Sequence, residues 1–151
     1  MIRAFGFCTL ALLVGLGAIA QETDATASEK VRESLKLYEK AWNNYDAAAR
    51  TKLLNSCFAK DGTYTDPTFH AASPADLSEH IGGFLSSAEP GKLSIVIVSA
   101  VDIHHQSFRF LWEAQDGEGN PIATGIDYDE FGSEGKIRKI VGFFGPIADK
   151  E

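Results

Sequence analysis

The hydrophobic period of this chain changes once, at Lys92, and that change bounds what it can fold into. Upstream, apolar residues recur every three or four positions; downstream they recur every two. Val31, Leu35, Tyr38, Trp42 and Tyr45 make one helical stripe, with Thr26-x-x-Glu29 as a capping box ahead of it. Asn43-Asn44 weakens that helix, and Asp46 is placed to cap a second over roughly Ala47 to Phe58. Lys60-Asp61-Gly62 reads as a turn and Thr63-Tyr64-Thr65 as a short strand halted by Asp66-Pro67. Ser73, Pro74 and Asp76 open a third helix, which turns Leu77, Ile81, Phe84 and Leu85 inward and ends at Glu89-Pro90-Gly91.

Beyond Lys92, the residues from Leu93 to Val101 are rich in β-branched side chains. From Ser107 to Ala114, Phe108, Phe110 and Trp112 alternate with Arg109, Leu111 and Glu113. Asp116-Gly117 signals a hairpin into Ile122 to Tyr128, and a turn at residues 132–135 leads to a last strand from Ile137 to Phe144. Three helices followed by a four-strand antiparallel meander, with one short strand between helices, is an α+β pattern. Helices laid on one face of a curved antiparallel sheet make a cone, and its mouth is a natural pocket. At 151 residues, without internal repeats or a linker, the chain has room for one domain.

Charge excludes one large class of function. The chain has 21 acidic and 14 basic side chains, a net charge of −7, whereas phosphate binding needs cationic patches. No nucleic-acid partner is expected. The first twenty residues read apart from the rest. Met1-Ile2-Arg3 precedes an uncharged run from Ala4 to Ala20, closed by Ala18-Ile19-Ala20 and followed at once by polar residues. That is the form of a cleaved signal peptide, 1–20, leaving a single domain, 21–151, exported to the periplasm or medium. An N-terminal anchor is the competing reading, but the apolar run is about 17 residues, at the lower limit for a span. Cleavage would remove only Arg3 among the charges, giving −8, and would leave Cys57 as the single cysteine. Its apolar neighbours Leu53, Leu54 and Phe58 point to a buried thiol rather than a nucleophile.

Four segments in order then resemble a known family. They are Tyr38-x-x-x-Trp42-Asn43-x-x-Asp46, Phe58-Ala59-x-Asp61-Gly62-x-Tyr64-x-Asp66-Pro67, Gly125-Ile126-Asp127 and Gly135-Lys136-Ile137. Together they are similar to nuclear transport factor 2-like domains, in the branch of the SnoaL-like proteins and ketosteroid isomerase, from about Val31 to Pro146. The resemblance implies catalytic positions at Tyr38 (oxyanion donor), Asp66 (general base before proline) and Asp127 (neutral second donor). The interval from Asp46 to Phe58 is longer than in the isomerase. Trp112 stands where the isomerase has a smaller side chain, which implies a smaller pocket.

Chemistry gives those three residues compatible tasks. A carboxylate can take a proton from carbon beside a carbonyl only if the enolate is stabilised, and two O–H donors in an apolar cavity can do that. Trp42, Phe108, Phe110 and Trp112 are the expected aromatic ligand-binding wall. The bland alternative has Tyr38 filling core, Asp66 making a turn and Asp127 bonding backbone. His70 is expected in a loop over the mouth, while His80 falls beside Glu79 on the third helix, half exposed. Asp129 lies on the strand face of Asp127, either as a second pocket carboxylate or as a rim residue reaching water. Arg109 is expected to pair with a carboxylate on the outer sheet face. Adjacent His104 and His105 read as a hairpin start, and no metal or cofactor spacing is present.

Three functions follow from this reading. If catalytic, the protein is a cofactor-free isomerase or cyclase with an aspartate base, acting on a small apolar carbonyl compound. A noncatalytic domain binding an apolar molecule would tolerate an exposed Asp66. A dimerising module would fill the cone with its own side chains, and a homodimer through the outer sheet face is a further expectation. Stable membrane insertion is not expected once the leader is removed.

Overall fold

The computed structural model describes residues 12–132 and 134–146, with side chains described from Thr26 onward. Helix α1 spans Leu12–Trp42, α2 Ala47–Cys57 and α3 Pro74–Leu85. The strands are β1 (Phe58–Thr65), β2 (His70–Ala71), β3 (Leu93–Ile97), β4 (Asp102–His104), β5 (Ser107–Asp116), β6 (Pro121–Phe131) and β7 (Ile137–Phe144). They form one seven-stranded sheet in the order β2-β1-β7-β6-β5-β3, with β4 also paired to β5. The fold is α+β, with three helices on a curved, unclosed sheet.

The helix boundaries follow their caps. Asp46 Oδ1 accepts from Ala49 N at 2.7 Å to start α2, and Ser73 Oγ accepts from Asp76 N at 3.2 Å to start α3. Val31, Leu35, Tyr38 and Trp42 are buried as one stripe, whereas Tyr45 lies past the end of α1 and is exposed. The Thr26 box is not a helix start in the intact chain, because α1 runs unbroken from Leu12 through it. Of the expected leader, residues 1–11 lie outside the described residues. Among the described residues, no helix is long and apolar enough to cross a membrane. Arg50 is buried and ties the helices together: its Nε donates to Ser78 O at 2.8 Å and its Nη1 to Asn44 O at 2.7 Å.

The sheet departs from a plain meander in two places. Lys60-Asp61-Gly62 is not a turn but the irregular middle of β1, where the register shifts between Phe58 and Thr63. β1 then pairs parallel with β7, so the sheet is mixed rather than wholly antiparallel. The expected strand from Leu93 to Val101 ends at Ile97, and β4 follows as a separate strand, both paired with β5. Ser99 Oγ, between them, accepts from Leu111 N at 2.8 Å. His104 and His105 do begin the β4–β5 hairpin, with His105 at φ 53. Arg109 pairs with Asp102 at 3.0 Å on the exposed outer face.

The core lies between the helices and the inner sheet face, built from Leu35, Leu54, Leu77, Ile81, Phe108 and Ile140 among others. Cys57 is fully buried in it, and burial pushes its thiol up to about 12, as expected of an inert cysteine.

Candidate active site

One wall of the site depends on how α1 meets the sheet edge. β3 is an edge strand, and side chains at the C-terminal end of α1 and just past it satisfy its free backbone groups. Asn43 Nδ2 donates to Ile95 O at 2.7 Å, and Asn43 Oδ1 accepts from Ile95 N at 2.9 Å. Glu39 Oε1 accepts from Ile97 N at 2.8 Å. These side chains thus stand in for a missing strand and fix Tyr38 and Trp42 over the sheet.

The floor is built by strand alternation. Phe110, Trp112 and Ala114 of β5 and Asp127 of β6 line a cavity of about 430 Å³, in the range of small-molecule sites. Two glycines set its geometry. Gly125 lies directly opposite Trp112, and a Cβ there would stand 2.3 Å from the indole. Its absence lets the ring lie across β6, where Nε1 donates to Asp127 Oδ1 at 2.7 Å. Gly142 pairs with Asp127 across β6 and β7, and a Cβ there would sit 3.0 Å from Asp127 Oδ1 and 3.6 Å from Asp66 Cβ. The two carboxyl-bearing residues therefore flank one bare stretch of β7.

Asp66 serves a turn and the cavity at once. Its Oδ1 accepts from Thr68 N at 2.7 Å, Thr68 Oγ1 at 2.8 Å and Phe69 N at 2.8 Å, while Oδ2 accepts from Tyr64 Oη at 2.9 Å. Only 3% of the side chain is exposed. Burial pushes this carboxyl up, but the donors of Thr68, Tyr64 and Phe69 outweigh it and hold the group below its ordinary value. Asp66 is a carboxylate at neutral pH.

Asp127 is driven the other way. It is 3% exposed, and burial pushes it from 3.8 to about 7 against the lowering effect of the Trp112 indole; the Asp66 charge adds to the rise and the Tyr38 hydroxyl reduces it. Tyr38 is buried too, and burial, then the charge of Asp127, raises its hydroxyl well above the ordinary value, so it remains a donor. The Trp42 indole N–H, also buried, makes no hydrogen bond among the described residues. Asp129 is fully buried with neither oxygen hydrogen-bonded, and burial, then Asp127, raises it well above the ordinary range. It neither lines the cavity nor reaches water, because Phe108 and Ile140 flank it in register on either side. Both readings of Asp129 from sequence are thereby corrected.

Of the residues singled out from sequence, Tyr38, Trp42, Asp66, Phe110, Trp112 and Asp127 line this single cavity. Phe108 does not; it lies in the core, stacked 6.3 Å from Phe110 and tilted against Phe131. His70 does not overhang the mouth. It lies on β2 and is exposed, its Nδ1 2.7 Å from Thr65 Oγ1, because alternation gives the inward position to Ala71. The cavity histidine is His80, whose ring stacks on Phe69 at 3.9 Å with its Nε2 3.8 Å from Asp66 Oδ2. Its signal was helical phase: His80 stands three residues after Leu77 and four before Phe84. Tyr64 was missed as well, although it stands two residues before Asp66 at a buried position of β1. Among the described residues, no group of three or more His, Cys, Asp or Glu side chains could hold a metal ion.

No family model matches the chain, and no curated protein matches it in sequence. Solved structures do match. A SnoaL-like family protein of Agrobacterium tumefaciens, provisionally assigned as an isomerase, superposes with a TM-score of 0.70 at 24% identity, covering 78% of this chain and 99% of that one. A protein of Sinorhizobium meliloti provisionally assigned as a polyketide cyclase gives 0.54 at 13% identity, over 73% and 93% of the two chains. A nuclear transport factor 2-like protein of unknown function from Burkholderia xenovorans gives 0.57 at 16%, over 83% and 91%. The chain has the nuclear transport factor 2-like fold, and its structural neighbours include a SnoaL-like family protein.

Proposed function

We propose that this chain is an exported, cofactor-free isomerase or cyclase that moves protons beside the carbonyl of a small apolar compound. The observation that carries this reading is a pair of carboxyls driven in opposite directions on one apolar cavity, Asp66 toward carboxylate and Asp127 toward neutral acid. Asp66 Oδ2 takes the α-proton, and the C–H electron pair becomes the enol double bond. The carbonyl π pair moves to oxygen, where Tyr38 and protonated Asp127 donate. The Trp112 indole on Oδ1 leaves Oδ2 of Asp127 to carry the donated proton. An isomerase returns the proton at a second carbon; a cyclase lets the enol carbon attack another carbonyl of the same molecule. Trp42, Phe110 and Trp112 hold the apolar body of the substrate and keep water out.

The test is deuterium uptake by β-tetralone in heavy water, followed by proton NMR. Wild type should exchange the α-protons above buffer, and Asp66→Asn should lower that rate by about 100-fold or more. Asp127→Asn should be milder than Asp127→Leu, since an amide still donates. Equal rates in wild type and Asp66→Asn would refute the base. Noncatalytic binding is the alternative; there Trp112→Ala would weaken ligand affinity most, with no exchange in wild type. The outer face carries a row of its own, Leu111, Ile126 and Phe143 adjacent across three strands, with Leu111 and Phe143 exposed. That row supports a homodimer under either reading.

A further inference from the structure

We propose that His80 is a proton carrier of this cavity, taking from Asp66 the proton that Asp66 removes from substrate and exchanging it with water. The inference rests on Asp66 being the base, as proposed above, and adds where the proton goes next.

The geometry supplies the route. α3 presents His80 to the cavity, with its Nε2 3.8 Å from Asp66 Oδ2, the oxygen that the turn at residues 66–69 leaves toward the cavity. The ring is held flat on Phe69, interplanar angle 4°, and edge-on to Trp42 at 6.2 Å, so it is oriented before any ligand arrives. Catalytic contacts in an empty site are commonly long and tighten when substrate excludes water. The titratable groups nearest the ring are Tyr64 of β1 and Asp66 just past its end; Trp42 of α1 and Phe69 of the turn pack on it, and Tyr38 and Glu39 of α1 and Asp127 of β6 line the same cavity. Burial against those rings lowers the imidazole below its ordinary value, outweighing the upward pull of Asp66, so at neutral pH it is uncharged and can accept a proton.

The proton balance then closes. Asp66 protonated at Oδ2 is a poor holder of its proton, because three donors on Oδ1 favour the carboxylate. Transfer to Nε2 restores that carboxylate and makes an imidazolium beside it. With 23% of its side chain exposed, His80 can trade this proton for a solvent one before returning it through Asp66. Without His80, the same proton would stay on Asp66 and go back to the substrate.

The experiment is the isomerisation of 3-cyclohexenone to 2-cyclohexenone in heavy water, with deuterium in the first-formed product read by mass spectrometry. Wild-type product should be mainly deuterated at the receiving carbon, and His80→Gln product should keep protium several-fold more often. His80→Gln should also lose the acidic limb of the pH–rate profile. Equal label from the two active proteins would overturn the carrier while leaving Asp66 as base; absence of turnover in wild type would overturn both. A second measurement stands apart from activity: the NMR titration of the His80 Cε1 proton. Its midpoint should lie below 6.5 in wild type and fall further in Asp66→Asn. An unmoved midpoint would overturn the pair.

Discussion

Replacing Asp127 by Asn should change how stability depends on pH, and the change can be worked out from the site. The folded protein holds this carboxyl at about 7, raised from 3.8 chiefly by burial. A raised folded pKa means that the native state binds the proton more tightly than the unfolded chain does. Its contribution is therefore complete below about pH 3.8, is lost as pH rises, and is gone above about pH 7. The interval between 3.8 and about 7 amounts to about 4 kcal/mol, at roughly 1.4 kcal/mol per pKa unit. Asn keeps the oxygen that accepts from Trp112 and offers N–H where the acid offers O–H, but it does not titrate. Urea unfolding of both proteins at intervals from pH 4 to pH 8 gives the comparison. Wild type should lose about 4 kcal/mol more than Asp127→Asn across that range, the difference reporting Asp127 together with its coupling to Asp66 and Asp129. Parallel curves would show that Asp127 titrates normally in the folded protein, which removes the neutral donor from the mechanism.

Three further outcomes are expected. Trp112→Phe removes the indole donor from Asp127 Oδ1, so the Asp127 midpoint should rise further and stability at neutral pH should drop by about 1–3 kcal/mol; carboxyl-carbon NMR and denaturant unfolding read the two effects. Asp129→Leu replaces a fully buried carboxyl, without a hydrogen bond among the described residues, by an apolar group of similar size, and should raise stability by about 1–3 kcal/mol; a loss of stability would contradict this. Intact-mass measurement of the exported protein should find Gln21 as its first residue; Met1 retained in a membrane fraction would contradict cleavage.

Local signals in the sequence carried the elements and half of the site. The caps at Asp46 and Ser73 and the alternation of Phe110 and Trp112 against Arg109 and Leu111 each depend on residues close in sequence. Asp127 followed from the motif and from its strand phase. What escaped was long-range or rotameric. The parallel pairing of β1 with β7 joins distant segments and leaves no periodicity to read. The bond from Trp112 to Asp127 needs an indole lying across β6, which only the bare backbone at Gly125 permits. The cavity histidine escaped for a different reason: His70 is nearer Asp66 in sequence, but Asp66, Thr68 and Phe69 close a turn that carries His70 onto the exposed side of β2. His80, more than three helical turns' worth of chain later, returns to Asp66 because α3 packs its Leu77 and Phe84 face on the same cavity wall. Asp129 was legible in its strand phase, but its complete burial came from Phe108 and Ile140 on the neighbouring strands.

The central claim is that Tyr38 and Asp127 together grip the oxygen of an enol while Asp66 faces its carbon. A crystal structure of the protein with 2-naphthol, which has the shape of the β-tetralone enol, tests it most directly. The naphthol oxygen should lie about 2.7 Å from both Tyr38 Oη and Asp127 Oδ2, with the rings against Phe110 and Trp112 and Asp66 Oδ2 over the adjacent ring carbon. A naphthol oxygen bound instead to the Trp42 indole N–H, with Tyr38 and Asp127 left untouched, would contradict it.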